Sequence, residues 1–387
     1  MQSVVTIEKL VYGGAALART ESGVTFVDGA LPGETVRIEV TGKKGGIAAA
    51  RTVEVLAPSP DRRTPPCPVA GICGGCDWQH LSYKAQVAAK TAIFQECMQR
   101  IGRLADLPAP EVFSADEFGY RQRVQLKINT RGEIGFFAKR SNEVVPIRSC
   151  PLLLDPLNVL IAELPGRLPS IPAIDTLMAV AGDNGGIASF PVIRELTAER
   201  VAITAANIKF QVAGNSFFQS NRLLLEGLGT WARPMVRGDR FVDLYGGSGF
   251  FSCMLAGRFT EGLLIESVGP QVKAAQENFN GNGINHVKAV EGRAEGLLQL
   301  AGKKPVSCLI VDPPRAGLSQ RVREAVAAMK PETIVYISCN PSTQARDVGF
   351  LVNKAGYEIS NCAIFDLYPN SYHIESIVIL KRMKDEG

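Results

Sequence analysis

The second half of the chain carries six apolar runs, FVDLY, GLLIE, VKAVE, VSCLIVD, TIVYIS and EISNCAIFD, several of them separated by stretches of helical pattern. Runs without polar alternation suit strands buried on both faces, as in a largely parallel sheet covered by helices on each side. From about residue 206 the sequence therefore predicts a doubly wound α/β domain closed by a last strand, IESIVILKR. In such sheets ligands bind beyond the carboxyl ends of the strands. The residues at those ends are where chemistry is to be sought.

The first run leads into Asp243-Leu244-Tyr245-Gly246-Gly247-Ser248-Gly249. Glycines there allow a sharp turn and let a ligand approach the backbone, so Gly247 is a candidate cofactor residue. The second run ends at Glu266, an acid placed to accept hydrogen bonds from ribose hydroxyls. Loop and acid together fit a dinucleotide or S-adenosylmethionine. Gly247-Ser248-Gly249 is followed by Phe250, Phe251 and Ser252 rather than completing G-x-G-x-x-G, which argues against a dinucleotide. The fourth run ends in Asp312-Pro313-Pro314-Arg315, close to the D/N-P-P-Y/F/W tetrapeptide of methyltransferases. Arg315 in its last position speaks against amine methylation.

The fifth run ends in Ser338-Cys339-Asn340-Pro341, ahead of a helix expected from Ser342. A thiol near a helix N-terminus is expected to have a lowered pKa. Cys253, Cys308 and Cys362 lie inside strand or helix patterns and read as packing. A thiolate serves a methyltransferase when the acceptor is carbon 5 of uracil, which is a poor nucleophile. Addition of sulfur to carbon 6 makes an enolate, and carbon 5 can then attack a methyl sulfonium. A base must afterwards remove the carbon 5 proton. Glu375, in Tyr372-His373-Ile374-Glu375-Ser376, is the candidate, with His373 on the same expected strand face as its rival.

Residues 3–57 read as five short strands between glycine turns, among them Glu21-Ser22-Gly23 and a loop at 41–46 that carries Lys43 and Lys44. That pattern suggests a small OB-like barrel. Residues 57–68 are proline-rich and read as a linker. Residues 82–102 read as a helix, with Ser82 as cap, Gly102 as stop, and Val87, Phe94, Met98 and Ile101 on one stripe. Residues 119–150 read as antiparallel strands. Arg121, Arg123, Gln125 and Lys127 alternate there with Val124, Leu126 and Ile128. This segment holds seven Lys/Arg against two Glu, a larger surplus than the +4 of the whole chain. We read its basic face as an RNA platform, the alternative being an ordinary solvated face. The chain has nine cysteines, and Cys67, Cys73, Cys76 and Cys150 suggest a four-thiolate site. Spacing alone leaves zinc and an iron–sulfur cluster open, with zinc the default. The N-terminus, MQSVVTIEKL, has no long apolar stretch, and no run is long enough for a bilayer. The expectation is a cytoplasmic protein.

Phe218-Gln219-Ser220-Asn221, DLYGGSG, DPPRAGL, SCNP and HIES occur in an order and spacing that resembles the RNA uracil-5-methyltransferases along nearly the whole chain. The resemblance implies that Gln219, Tyr245, Glu266 and Asp312 contact S-adenosylmethionine, that Asp312 also faces the base, that Cys339 is the nucleophile, and that Glu375 removes the proton. It also turns the cysteine reading toward a structural [4Fe-4S] cluster on Cys67, Cys73, Cys76 and Cys150. Two departures stand out: Gly246 where the family often has cysteine, and Asn370-Ser371 where it often has His-Thr or Gln-Thr.

The expected architecture is a Rossmann-like class I methyltransferase domain over 206–387, an N-terminal TRAM-like barrel over 1–57, and a small central α+β iron–sulfur and RNA-binding domain over 58–205. Helix 82–102 is allowed to pack on the catalytic domain. The expected protein is a monomer without membrane association that acts on RNA, with 23S rRNA favoured over the tRNA T-loop because a TRAM module and a cluster occur together. The rivals are a cytosine-5 RNA methyltransferase, which Glu375 and the SCNP context disfavour, and a non-catalytic RNA-binding or RNA-folding protein.

Overall fold

A computed structural model describes residues 2–21, 23–167 and 174–383, the side chain of Lys44 excepted. Ser22, in the expected Glu21-Ser22-Gly23 turn, lies outside the described residues. The elements run β1 (Gln2–Leu10), β2 (Ala16–Thr20), β3 (Gly23–Asp28), β4 (Thr35–Lys44), β5 (Ile47–Ala57), α1 (Tyr83–Arg100), β6 (Glu111–Phe113), β7 (Arg123–Ile128), β8 (Ile134–Phe137), β9 (Val144–Pro146) and α2 (Asp155–Arg167). They continue with β10 (Thr176–Ala181), β11 (Ile187–Phe190), β12 (Arg200–Ala205), β13 (Ile208–Ala213), α3 (Leu225–Thr230), β14 (Gly238–Leu244), α4 (Phe250–Leu255), β15 (Phe259–Glu266), α5 (Gly269–Gly281) and β16 (Val287–Glu291). The last are α6 (Leu297–Ala301), β17 (Cys308–Val311), α7 (Gln320–Met329), β18 (Thr333–Ser338), α8 (Pro341–Ala355), β19 (Tyr357–Phe365) and β20 (Glu375–Arg382). No helix among the described residues is long and apolar enough to cross a membrane.

The chain folds into two compact units that differ from the three consecutive segments expected. One unit comprises Met1–Ile93, Lys127–Pro151 and Tyr368–His373; the other comprises Phe94–Leu126, Leu152–Leu367 and Ile374–Gly387.

In the first unit β1–β5 close into the expected barrel, in the order β1-β2-β3-β5-β4. Val5, Ile7, Ala16, Ala18, Val27, Leu31, Val36 and Ile38 fill it. The expected loop at 41–46 shrinks to Gly45 and Gly46, both at positive φ, because β4 runs on through Lys43 and Lys44. Glycine takes that conformation without the steric cost of a Cβ. The segment after the barrel has little regular structure and is held by specific contacts. Buried Trp78 donates from Nε1 to the Gly14 carbonyl at 2.9 Å, and the Asp77 and Trp78 amides both donate to the Asn370 carbonyl.

The apolar stripe expected on helix 82–102 is only partly buried. Phe94 and Met98 are fully covered, but Ile101 is 47% exposed. Two polar residues, Gln86 and Lys90, take buried positions on α1 instead. Gln86 pairs with Asn370 through both ends of its amide, and Lys90 donates to the Tyr368 carbonyl. Buried polar groups are tolerated when paired in this way.

In the second unit the predicted runs form an eight-stranded sheet in the order β16-β15-β14-β17-β18-β20-β19-β6. Strands β14 to β18 are parallel, whereas β20 is antiparallel to both β18 and β19. The three-residue β6 pairs parallel to β19 at the edge, although its place in the sequence falls within the expected central segment. The C-terminal part of α1 lies against α8: a Cβ on Gly102 would come within 2.9 Å of the Ala345 carbonyl, and Asn353 donates to the Gly102 carbonyl.

Candidate active site

Parallel strands bring β14, β15, β17 and β18 to one edge with their carboxyl ends together, and the antiparallel β20 begins at that same edge. Ser338 and Ser376 face each other across β18 and β20. The ladder ends on that pair, with Cys339 directly after Ser338 and Glu375, the first residue of β20, directly before Ser376. His373 precedes β20, so it does not share a strand face with Glu375. Its ring packs on Tyr368 and Tyr372 instead.

Electrostatics links these groups. Burial pushes the Cys339 thiol up to about 11, Glu375 and Asp312 push the same way, and Arg315 opposes them. The lowered pKa expected from the helix N-terminus is therefore corrected. Desolvation and two neighbouring acids outweigh Arg315 and a backbone hydrogen bond, the groups that pull the other way. Glu375 is fully desolvated and faces Asp312, which holds its carboxyl well above the usual carboxylate range. Burial also raises Asp312 to about 7.

A second group of acids lies at the glycine loop. Burial pushes Asp243 up to about 7, with Asp312 and Glu266 acting in the same direction. Ser252 donates to one Asp243 oxygen at 2.6 Å, and the other buried oxygen has no protein partner. Glu266 accepts from the Gly247 amide at 3.1 Å and from the Val268 amide at 2.8 Å. Gly247 has positive φ and open space where a Cβ would stand. These features suit S-adenosylmethionine: Glu266 keeps lone pairs for hydroxyl donors, the backbone at Gly247 can be approached closely, and buried acids favour a cationic group. Sequence reasoning missed Asp243, although an acid at the strand end ahead of a glycine loop is a usable signal. At Gly246 a Cβ would collide with the Leu264 side chain, so this departure from the family pattern is matched by its neighbour.

The loop after Asp312 is fixed from below. Buried Asp347 on α8 accepts from the Leu318 amide and the Tyr336 hydroxyl at 2.7 Å, and from Arg323 and Arg346 at 2.8 Å. Asn340 and Thr343 both donate to the Arg315 carbonyl. Tyr245, at positive φ, is pushed up to about 12 by burial, with Glu295 and Asp347 contributing. Gln219 is 7% exposed and anchored through its backbone, its carbonyl accepting from the Gln122 side chain at 2.8 Å.

On β7 the predicted alternation holds: Val124, Leu126 and Ile128 are buried, and Gln125 is exposed. The basic face is partly occupied by structural bonds. Arg121 donates to the Arg123 carbonyl and Arg123 to the Ser216 carbonyl. In the first unit Lys127 lies over the Phe137 ring at 5.1 Å.

In that unit Cys76 is pushed up to about 12 by burial, and Cys150, Cys73 and Cys67 push it the same way, so the four sulfurs are neighbours. Gln79 organises them: its amide donates to Cys76 Sγ at 3.2 Å and accepts from the Cys67 amide at 3.3 Å. Among the described residues, however, no three Cys, His, Asp or Glu side chains converge as ligands for a metal ion. The expected four-thiolate centre is thus present as a neighbourhood and not as a formed ligand set.

Comparison with known proteins matches residues 189–383 to the tRNA (Uracil-5-)-methyltransferase family model and residues 4–53 to the TRAM domain. An uncharacterized RNA methyltransferase of Aquifex aeolicus is 34% identical, over 97% of this chain and 98% of its own. The 23S rRNA (uracil(1939)-C(5))-methyltransferase of Thiobacillus denitrificans is 30% identical, over 99% of this chain and 100% of its own. The crystal structure of the Pyrococcus abyssi tRNA (uracil-54, C5)-methyltransferase in complex with S-adenosyl-L-homocysteine superposes with a TM-score of 0.79 at 22% identity, covering 98% of this chain and all of the other.

Proposed function

Since this chain belongs to the RNA uracil-5-methyltransferase family, we propose that it methylates carbon 5 of a uridine in 23S rRNA through a covalent Cys339 adduct that Glu375 resolves. The observation that carries this reading is that Cys339 and Glu375 flank the Ser338–Ser376 pair that ends one ladder, with Glu375 and Asp312 both acting on the Cys339 thiol and Asp312 on Glu375.

Bound S-adenosylmethionine supplies an electrophilic methyl group and a positive charge. Gln219, Tyr245, Gly247, Glu266 and Asp312 are the residues that would hold it. Cys339 rests as a thiol and must lose its proton before it adds to carbon 6 of the uracil. The C5–C6 electron pair then moves into an enolate, and carbon 5 takes the methyl group as the methyl–sulfonium bond breaks and its electron pair stays on the donor sulfur. Glu375 removes the carbon 5 proton, the C5–C6 double bond re-forms, and the carbon–sulfur bond breaks with its electron pair returning to Sγ. Once ionised, a carboxylate held above its ordinary range is a stronger base for that proton.

The four neighbouring cysteines Cys67, Cys73, Cys76 and Cys150 support a structural [4Fe-4S] cluster, with zinc the alternative. Methyl transfer needs no redox step from it. Iron analysis and absorbance of anaerobically purified protein should show iron; stoichiometric zinc without iron would reject the cluster.

Full-length relatives named for 23S rRNA support that substrate, and the tRNA T-loop is the second reading, supported by the Pyrococcus structure. Mapping 5-methyluridine in RNA from a deletion strain decides between them by whether the 23S rRNA or the tRNA loses the mark. For the mechanism, Cys339→Ala should abolish both methyl transfer and trapping by RNA containing 5-fluorouridine. Normal turnover in that variant would refute it.

A further inference from the structure

The rung next to Cys339 and Glu375 is built from side chains that the reaction itself does not use. Ser338 and Ser376, the cross-strand partners, are both buried. Each adjoins a reacting residue in sequence, Ser338 before Cys339 and Ser376 after Glu375. Gln344, on α8, is fully buried beside them. Its Oε1 accepts from the Ser376 hydroxyl at 2.7 Å, and its Nε2 donates to the Tyr336 carbonyl at 3.1 Å and toward the Ser376 carbonyl at 3.4 Å. One side chain thus joins three elements: the strand that delivers the nucleophile, the strand that delivers the base, and the helix that starts at the nucleophile.

A buried primary amide is costly unless its polar atoms are paired, and here both ends are. An apolar residue of similar size would fill the same volume without joining β18 to β20. We infer that Gln344 is a positioning residue for adduct resolution, holding the Cys339 and Glu375 strand ends in the register that lets Glu375 reach the carbon 5 proton. This rests on the covalent reading proposed above. The effect should fall on the second half of the reaction. Formation of the carbon–sulfur bond needs Cys339 alone to meet the base, whereas its breakage needs Cys339 and Glu375 placed together on one ring.

The test is single-turnover methylation of natural RNA by full-length Gln344→Leu, following methyl transfer and the covalent protein–RNA adduct separately. Methyl transfer should stay near the wild-type rate while adduct decay slows about 10- to 100-fold, the scale of a misplacement near 1 Å. The double variant Gln344→Leu/Ser376→Ala removes the hydroxyl that has lost its 2.7 Å acceptor and should regain thermal stability without regaining decay. A purely structural role predicts that the two recover together, and that result would overturn the inference. Where Gln344→Leu does not fold, Ser376→Ala, which removes the 2.7 Å bond to Gln344 and the longer one from the same hydroxyl to the Ser338 carbonyl, carries the test. Slower decay supports the role, and wild-type decay overturns it. Cys339→Ala in the same assay separates the two levels. Activity there defeats the covalent reading itself, whereas wild-type decay in the Gln344 variants beside an inactive Cys339→Ala defeats only the role of Gln344.

Discussion

The barrel and the reaction centre each bury a glutamate, and the two are treated in opposite ways. Glu34, fully buried in the barrel unit, accepts from the amides of Leu31 and Ser59 and from both Nε and a terminal nitrogen of Arg62. Burial pushes its carboxyl up, but those bonds outweigh burial and hold it below the ordinary value. Glu375 in the catalytic unit is desolvated and faces the carboxyl of Asp312, so both effects push it up. Burial does not decide the fate of a carboxyl; its partners do. A structural acid is surrounded by donors until ionisation is favoured. A carboxyl that is desolvated and faces another acid keeps a high proton affinity, which is what the proposed base role of Glu375 calls for.

Glu375→Gln tests the catalytic side of this comparison most strongly. Removing a general base typically costs about 10²- to 10⁴-fold. Turnover should fall by that order while the protein–RNA adduct accumulates, because sulfur adds but the carbon 5 proton stays. Full activity without adduct would reject Glu375 as the base. Glu34→Gln should do the reverse. Replacing a charged acceptor with an amide leaves Arg62 without its ion partner, at about 1–3 kcal/mol. Hydrogen exchange of barrel amides should reveal the loss while the methyl-transfer step per bound RNA is kept.

Much of this was legible in the sequence, for a reason visible in the particular elements. The runs from FVDLY to IESIVILKR are buried on both faces, so their apolar continuity announces them, and their ends place Asp243, Glu266, Asp312 and Cys339 at one edge. What escaped was set by pairing between distant strands. That β20 inserts antiparallel between β18 and β19 brings Glu375 to the end of β18 that leads into Cys339, and nothing within either strand states that register. The same blindness produced the wrong sign for Cys339, since the helix start is local and the two opposing acids are not. Gln344 has no sequence signal either, being one amide on a helix until Ser376 is found beside it. In the barrel unit the irregular segment after residue 57 offered only proline richness and cysteine spacing to read, and its contacts run to Gly14 and Asn370, far along the chain.

The two sets of acids also predict opposite pH behaviour of stability. Glu34 is lowered from 4.5, so its contribution is present above that value and is lost as pH falls through the folded pKa. Asp243 and Asp312 are raised from 3.8 to about 7, so the native state binds more protons than the unfolded chain between those values. The ligand-free catalytic unit should therefore lose stability as pH rises from 3.8 through about 7, by at most about 1.4 kcal/mol per pH unit for each group. Asp312→Asn should flatten that slope, as followed by thermal melting across the window. An unchanged slope would mean that Asp312 is not the acid that burial penalises.

The smallest effect concerns Cys339 and isolates the charge of Glu375 from its role as base. Alkylation by iodoacetamide, read at this cysteine by mass spectrometry, follows the thiolate fraction. With the thiol held near 11, the rate should climb about tenfold per pH unit from neutrality without a plateau before that value. The charge of Glu375 opposes the thiolate, so Glu375→Gln removes that opposition from its surroundings. The thiol pKa should fall, and alkylation at a given alkaline pH should be faster by up to about tenfold, in step with the larger thiolate fraction. Glu375→Asp keeps the charge and should leave the curve nearly in place while still slowing adduct decay. If the glutamine variant left the alkylation curve where it was, Glu375 would lie outside the field of Cys339. The coupling of the two groups, and with it the contrast with Glu34, would then have to be abandoned.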